Sequence, residues 1–110
     1  VLAFMDAFPA MVGHTLVIPK THATNLYDAE WEYMAPAFEV VQKLGPTVTE
    51  SVGADGFRVL MNNGEAAGQT VFHPHVHIMP HREGDVVGWE QLERSLEQLE
   101  EDAAKIRKSL

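Results

Sequence analysis

Three histidines at alternating positions constrain the fold of this chain more than any other feature. His73, His75 and His77 stand inside an otherwise apolar run from Val71 to Pro80. Successive side chains of a β-strand point to opposite faces, so a strand here places the three imidazoles on one face. The opposite face, which suits a core, then carries Phe72, Pro74, Val76 and Ile78. The run therefore predicts a strand over 71–79 with three rings that can titrate near neutral pH on its accessible side.

The length and composition favour a small globular protein. The chain of 110 residues is long enough for one domain with one hydrophobic core. It contains no apolar run of the roughly 18 residues that indicate a membrane span, so no membrane partner is predicted. The start, Val1 to Asp6, lacks an initiator Met and the features of a signal peptide, and preceding residues are expected to be missing. The absence of cysteine removes disulfides, thiolate catalysis and cysteine zinc sites, and a cytoplasmic location is the default.

The charge distribution argues against one class of partner. A net charge of −8 disfavours binding of a nucleic-acid duplex through a basic surface. Six of the acids lie between Trp89 and Asp102, which indicates a solvated helix face. The rest of the chain is less acidic and holds all six histidines, so a small anionic ligand remains possible there. Trp31 and Trp89 are interpreted as core or dimer anchors.

Apolar periodicity predicts the other elements. Short apolar or β-branched runs predict strands at 2–6, 14–18 and 57–61. Helical spacing from Trp31 to Leu44 predicts two short helices or one kinked helix, because Pro36 interrupts the pattern and Gly45-Pro46 ends it. A second amphipathic helix is predicted by the stripe Trp89, Leu92, Leu96, Leu99, Ala103 and Ile106. This order of elements predicts an α+β fold with an antiparallel sheet.

The histidine row has a catalytic interpretation and two rival ones. Three surface histidines or a zinc site would also explain it. Alternate side chains on a strand stand roughly 6.5–7 Å apart, which is too wide for three to meet one ion unaided. No acid or cysteine shares that face. A neutral histidine flanked by others can act as a nucleophile, and His75, in the centre of the row, is the candidate. His77 could bind a substrate oxygen or assist a leaving group.

The loop that leads into the histidine row suits an anionic substrate. Gly64 and Gly68 allow backbone N–H groups to approach a ligand closely, and concave backbone amides can bind phosphate oxygens. Asn62, Gln69 and Thr70 add neutral side-chain donors. Asn-Asn-Gly is also an ordinary turn sequence, so the loop supports an anionic substrate mainly because it leads directly into the histidine row.

These motifs together resemble a known family. The histidine triad superfamily carries a His-x-His-x-His-x-x signature with apolar x, and the run from His73 to Met79 is similar to it. Four companion segments follow in family order and near family spacing, namely Phe4–Asp6, Gly13–Lys20, Met61–Gly64 and Ala67–Val71. The resemblance implies that residues 1–110 are a single histidine triad domain, with an antiparallel sheet continued across a homodimer.

The resemblance also implies a reaction. A purine nucleotide derivative would transfer its nucleotidyl group to His75 and then to water, without a metal or other cofactor. The carbonyl of His73 would hold the Nδ1–H of His75. His77 and Gln69 would contact the phosphate and the leaving group, and His14 matches the fourth histidine of the family.

The same resemblance implies a set of substrate-binding residues. Asp6 matches the acidic position that binds the ribose hydroxyls. Phe4 and Leu16 would lie near the base. The phosphate site would be lined by Asn62, Gly68 and Thr70.

The substrate branch stays open. Residues 65–71 and Gly84-Asp85 look similar to hydrolases of dinucleoside polyphosphates, whereas Val17 to Lys20 looks more like the nucleoside phosphoramidases. A nucleotide-binding or interaction module with incidental hydrolysis, and a metal-binding protein that uses the histidine row, are the alternatives to an enzyme.

Overall fold

The computed structural model describes residues 1–85 and 90–110, which form four strands and two helices. The strands are β1 (Leu2–Met5), β2 (Thr15–Ile18), β3 (Gly56–Leu60) and β4 (Val76–His81). The helices are α1 (Trp31–Ser51) and α2 (Leu96–Ser109), and a single 3₁₀ turn covers Glu65–Ala67. Among the described residues, no helix is long and apolar enough to cross a bilayer.

The four strands form one antiparallel sheet in the order β1-β2-β4-β3. The predicted α+β fold with an antiparallel sheet is thereby confirmed. His77 lies in β4, between Leu16 of β2 and Leu60 of β3 in the register. The third histidine of the row therefore sits at the middle of the sheet, where neighbouring strands fix the backbone on both sides.

One face of the sheet is the core and the other face is free for a site. Val17, Val76 and Ile78 are buried against α1, which contributes a stripe of buried residues, Met34, Ala37, Val41, Leu44 and Val48. Ile106 of α2 joins the same cluster. Because side chains alternate along a strand, Leu16 and His77 point to the opposite face.

Helix α1 is longer than its sequence predicts. It is one continuous helix that passes through Pro36 and Pro46 to Ser51, so the prediction that Gly45-Pro46 ends it is wrong. A proline inside a helix removes one hydrogen bond and crowds the preceding turn. Val48 continues the buried stripe beyond Pro46, and its full burial favours another turn of helix on the sheet.

The histidine strand begins later than predicted, at Val76 instead of Val71. Pro74 has no N–H to donate to a strand neighbour, and the carbonyl of His73 bonds to the ring of His75 instead of to another strand. His73 and His75 therefore lie in irregular backbone just before β4. Phe72, which the pattern assigned to the core, is exposed.

The C-terminal helix begins at Leu96, after a capping box in which the side chains of Ser95 and Gln98 bond to each other's backbone N–H. Four positions of the predicted stripe, Leu96, Leu99, Ala103 and Ile106, therefore lie in α2, and Leu92 precedes it. Trp89 lies outside the described residues. Trp31 is 63% exposed and stacks on Phe38, so it is not a core anchor.

Candidate active site

A cavity of about 750 Å³ opens on the sheet face opposite α1. Its walls are mostly apolar, and its floor is the histidine row. Nine of the predicted site residues line it, namely Phe4, Asp6, Leu16, Asn62, Gly68, Thr70, His73, His75 and His77. The remaining two, His14 and Gln69, are buried beside the cavity and do not line it.

Five further lining residues were not predicted as site residues, namely Phe8, Ile18, Leu60, Ala67 and Val71. Ile18 and Leu60 could have been found from the sequence once the strand register was known, because they share a face with Leu16 and His77. Phe8 follows Asp6 in a loop, where no periodic pattern indicates its direction.

His75 lines the cavity and is held by a main-chain hydrogen bond. Its Nδ1 lies 2.7 Å from the carbonyl oxygen of His73, and this nitrogen must carry a hydrogen to donate to that acceptor. The other nitrogen, Nε2, then keeps its lone pair in the neutral ring. His73 is itself fixed by a 2.9 Å bond from its Nε2–H to the carbonyl of Pro19.

A chain of hydrogen bonds assigns the tautomers of His14 and His77. The backbone N–H of Ala10 donates to Nδ1 of His14 at 3.0 Å, so the hydrogen of the neutral His14 ring is on Nε2. This Nε2 lies 2.8 Å from Nδ1 of His77, which therefore accepts. The hydrogen of the neutral His77 ring is then on Nε2, which is a buried atom.

Burial keeps these two rings neutral. The pKa of His77 falls to about 4, first because burial disfavours the cation and then because His14 and His75 lie nearby, although Asp6 opposes the change. Burial also lowers the pKa of His14, again against the opposing charge of Asp6. At pH 7 the His14–His77 pair therefore acts through neutral hydrogen bonds.

Asp6 connects the cavity with the buried histidines. One carboxylate oxygen, Oδ1, accepts the backbone N–H of Phe8 at 2.9 Å and forms a tight turn. The other oxygen, Oδ2, lies 3.4 Å from Nε2 of His14. The carboxylate also lines the cavity, so a ligand can reach it.

Gln69 organises the loop that bounds the cavity. Its side-chain oxygen accepts from Asn25 at 3.0 Å and from the N–H of Gly64 at 2.8 Å. Its side-chain nitrogen donates to the carbonyls of Thr24 and Val71 at 2.7 and 3.1 Å. The amide is 1% exposed, so these contacts shape the loop, and the predicted contact of Gln69 with phosphate stays a prediction.

One group among the described residues is compact enough to be considered for a metal ion, namely Asp6, His14 and His77. Two nitrogens bound to one tetrahedral zinc at 2.0–2.1 Å would stand about 3.4 Å apart. The facing nitrogens of His14 and His77 are 2.8 Å apart, which is a hydrogen-bond distance. The arrangement is that of a hydrogen-bonded pair, with the carboxylate in the loop that follows β1.

The sheet, the cavity and the imidazole row define a histidine triad protein. The HIT domain family model matches residues 1–84, so the chain belongs to the HIT (histidine triad) family. The resemblance inferred from the sequence is thereby confirmed.

Relatives whose names state an activity support this placement. The chain is 39% identical to an adenosine 5′-monophosphoramidase of Schizosaccharomyces pombe, across 96% of this chain and 82% of the relative. It is 36% identical to the adenylylsulfatase HINT3 of Arabidopsis thaliana, across 96% of this chain and 54% of the relative. The chain is also 45% identical to a protein named "Protein hit" of Bacillus subtilis, with 80% and 61% covered. The chain thus spans only about half to three fifths of two of these three relatives.

Solved structures agree with the fold. A Hit-like protein of Bartonella henselae matches with a TM-score of 0.89 and 45% identity, over 98% of this chain and 79% of that one. A hypothetical histidine triad nucleotide-binding protein of Sulfolobus tokodaii matches with a TM-score of 0.86 and 39% identity, over 97% and 75% of the chains.

Proposed function

We propose that this protein hydrolyses a nucleoside 5′-phosphate derivative through a covalent nucleotidyl-histidine intermediate, and that nucleoside phosphoramidates are the preferred class. The observation that carries the proposal is the 2.7 Å bond between Nδ1 of His75 and the carbonyl of His73, which leaves the lone pair of the neutral ring on Nε2 of a residue that lines the cavity. The name of the fission yeast relative, an adenosine 5′-monophosphoramidase, supports the phosphoramidate branch.

The proposed reaction has two displacements at phosphorus. Nε2 of His75 attacks the α-phosphorus, a nitrogen–phosphorus bond forms, and the bond to the amine leaving group breaks. Water then attacks the same phosphorus and releases the nucleoside monophosphate from His75. In this proposal the Nε2–H of His77 stabilises an oxygen or nitrogen of the reacting group during both steps.

The remaining lining residues divide between the two ends of the substrate. The apolar walls formed by Phe4 and Leu16 suit a purine base, and Asp6 suits the ribose hydroxyls. Asn62, Gly68 and Thr70 also line the cavity, and their backbone and side-chain donors suit the phosphate. The loop contacts of Gln69 support this end of the cavity.

The test compares two substrates and two variants in the presence of a chelator. Wild-type protein should release ammonia from adenosine 5′-phosphoramidate faster than it cleaves a diadenosine polyphosphate. His75→Asn should reduce turnover at least a thousandfold while nucleotide binding is retained, because only the nucleophile is lost. His22→Asn, at an exposed histidine outside the cavity, is the matched control and should keep the wild-type rate.

Each alternative has its own result in this experiment. A rate that His75→Asn leaves unchanged would contradict the nucleophile assignment. Nucleotide binding without turnover by the wild type would favour a binding module. Activity that disappears with the chelator and returns with zinc would favour the metal-binding interpretation. Faster cleavage of the dinucleotide would move the protein to the other substrate branch.

We further propose that the sheet continues across a homodimer. In the described part of the chain, β1 and β3 are the edge strands, and Val59 on β3 is 47% exposed. An edge strand offers backbone groups that a second copy can pair with. Sedimentation should show a dimer, and Val59→Lys should shift it toward monomer if β3 is the contact.

That residues 1–110 form one domain and that the protein is cytoplasmic stay predictions.

A further inference from the structure

Asp6 faces two partners that compete for its carboxylate. From the cavity it is accessible to a ligand, and from the interior its Oδ2 lies 3.4 Å from Nε2 of His14. His14 has only one hydrogen on this nitrogen, because its Nδ1 accepts from Ala10. The same Nε2 is 2.8 Å from Nδ1 of His77. One N–H thus faces two acceptors, and the nearer one belongs to the ring that points toward the substrate phosphate.

The charge of Asp6 acts on both buried rings. It favours the protonated forms of His14 and His77, against burial and against the repulsion among the rings. Asp6 acts on both rings, and His75 acts on His77 in addition. A ligand that binds the carboxylate oxygens therefore changes the potential felt by His77, although it never touches that ring.

We propose that Asp6 is a positioning residue for the His14–His77 pair, and that ribose hydroxyls control this role when they bind its carboxylate. Without ribose, Oδ2 attracts the Nε2–H of His14. With ribose bound, this hydrogen is donated to His77 alone, which fixes the Nε2–H of His77 toward the phosphate. The inference rests on the proposed function and adds to it a coupling between the sugar site and the reacting centre.

A substrate without ribose hydroxyls separates this role from simple ribose binding. The 2′,3′-dideoxy form of adenosine phosphoramidate cannot bond to Asp6, so a residue that only binds ribose has no effect on its hydrolysis. Asp6→Asn is the variant of choice, because asparagine keeps an oxygen for the N–H of Phe8 and preserves the turn. Glu39→Gln, on the exposed face of α1, removes the same charge far from the cavity and serves as the control.

The proposal predicts that Asp6→Asn raises kcat on the dideoxy substrate by about three- to tenfold, the factor expected for one hydrogen bond, because no carboxylate then competes with His77 for the Nε2–H of His14. The acid limb of its kcat–pH profile should move to lower pH, because the charge that favoured the protonated pair is gone. Glu39→Gln should change neither. An Asp6→Asn enzyme that differs from wild type only in KM for the ribose-containing substrate would overturn the proposal.

Ring NMR of His14 and His77 tests the coupling without any turnover. Adenosine should lower the titration midpoint of the pair in the wild type, whereas 2′,3′-dideoxyadenosine should leave it unchanged and Asp6→Asn should not respond to either. Equal effects of the two nucleosides on the wild type would overturn the coupling. A wild type that hydrolyses neither phosphoramidate while its rings still respond to adenosine alone would reject the proposed function and keep the inference.

Discussion

At the scale of single residues, main-chain groups decide what each imidazole can do. The carbonyls of Pro19 and His73 take one N–H each, from His73 and His75. The backbone N–H of Ala10 donates to Nδ1 of His14. Because these partners are backbone atoms held by strands and turns, the rings are set in their tautomers before a substrate arrives. Preorganisation of this kind lowers the reorganisation that the reaction requires.

The neutral state of the buried His77 predicts how stability depends on pH. Its pKa is about 4 in the folded protein and ordinary, near 6.5, in the unfolded chain. Below pH 6.5 the unfolded chain binds a proton that the folded protein does not, so the free energy of unfolding falls as the pH drops from 6.5 to 4. The slope from this group is at most about 1.4 kcal/mol per pH unit.

Urea unfolding between pH 7 and pH 4.5 measures this slope. His77→Asn removes the titrating ring, so its free energy of unfolding should fall less steeply than that of the wild type over the same range. His22→Asn, at an exposed histidine, should keep the wild-type slope. Parallel curves for the wild type and His77→Asn would show that His77 titrates alike in both states.

The buried hydrogen bonds of the Gln69 amide should contribute to the stability of the protein. Gln69→Glu replaces the two N–H donors with an oxygen that faces the carbonyls of Thr24 and Val71. Because the site is buried, we expect a loss of about 3 kcal/mol in the free energy of unfolding. The loss should narrow at acid pH, where the new carboxyl is protonated. Gln42→Glu, on an exposed position of α1, should change stability by less than about 0.5 kcal/mol.

At the scale of elements, a close approach explains why α1 contains Gly45. The glycine is buried, and a Cβ at this position would overlap the aromatic ring of Phe57 on β3. The absence of a side chain lets the helix pack directly on that ring. The same contact binds the second half of α1 to the sheet and helps to keep the helix intact through Pro46.

Gly45→Ala should therefore destabilise the protein, although alanine is the better helix former by about 1 kcal/mol. Overpacking costs about 1–3 kcal/mol, so after the gain in helix propensity we expect a net loss of up to about 2 kcal/mol in the free energy of unfolding. Gly56→Ala, where a Cβ would meet no atom within 4 Å, is the matched control. In a Phe57→Leu background, Gly45→Ala should cost less, and an unchanged cost there would contradict the packing argument.

Elements were predictable from the sequence where one local pattern decides the structure. The strands β1, β2 and β3 lie within one residue of the predicted ranges, because short apolar or β-branched runs mark them. The start of β4 was missed, since Pro74 has no N–H to donate and the carbonyls of Val71 and His73 bond to the side chains of Gln69 and His75. The length of α1 was missed because packing on Phe57 outweighs the local signal of Gly45-Pro46.

Site residues were likewise predictable where a local sequence motif identifies them, and were not where contacts between distant segments decide. The motif indicated which side chains lie together, and nine of them line one cavity. The burial of Gln69 and its contact with Asn25 join residues 44 positions apart, which no spacing rule reveals. The approach of Asp6 to His14 likewise depends on the pairing of β1 with β2.

At the scale of the whole molecule, the C-terminal segment joins the core to the site loop. Leu99 and Ile106 of α2 are buried. The N–H of Leu92, which precedes α2, donates to the carbonyl of Pro9 at 2.6 Å, in the loop that follows Asp6. The segment therefore links the helix that completes the core with the turn that carries Asp6 and Phe8.

An ion pair between Arg94 and Asp102 joins the segment before α2 to the helix itself. Its guanidinium donates to both carboxylate oxygens of Asp102, at 2.9 and 2.7 Å, and Asp102 is 2% exposed. Arg94→Met leaves that carboxylate buried without its partner. Removing one partner of a fully buried ion pair costs about 3–5 kcal/mol. Because Arg94 is partly exposed, we expect a somewhat smaller loss of about 2–4 kcal/mol in the free energy of unfolding.

A second substitution separates the ion pair from packing. Arg94→Met combined with Asp102→Leu should recover most of the lost stability, because two apolar side chains can replace a buried pair at little cost. Lys105→Met, an exposed position on α2, controls for the loss of a positive charge. Urea unfolding at pH 7 measures all four proteins. If the double variant is as unstable as Arg94→Met alone, the guanidinium stabilises the segment by contacts other than Asp102, and α2 is attached to the loop after Asp6 by a different route.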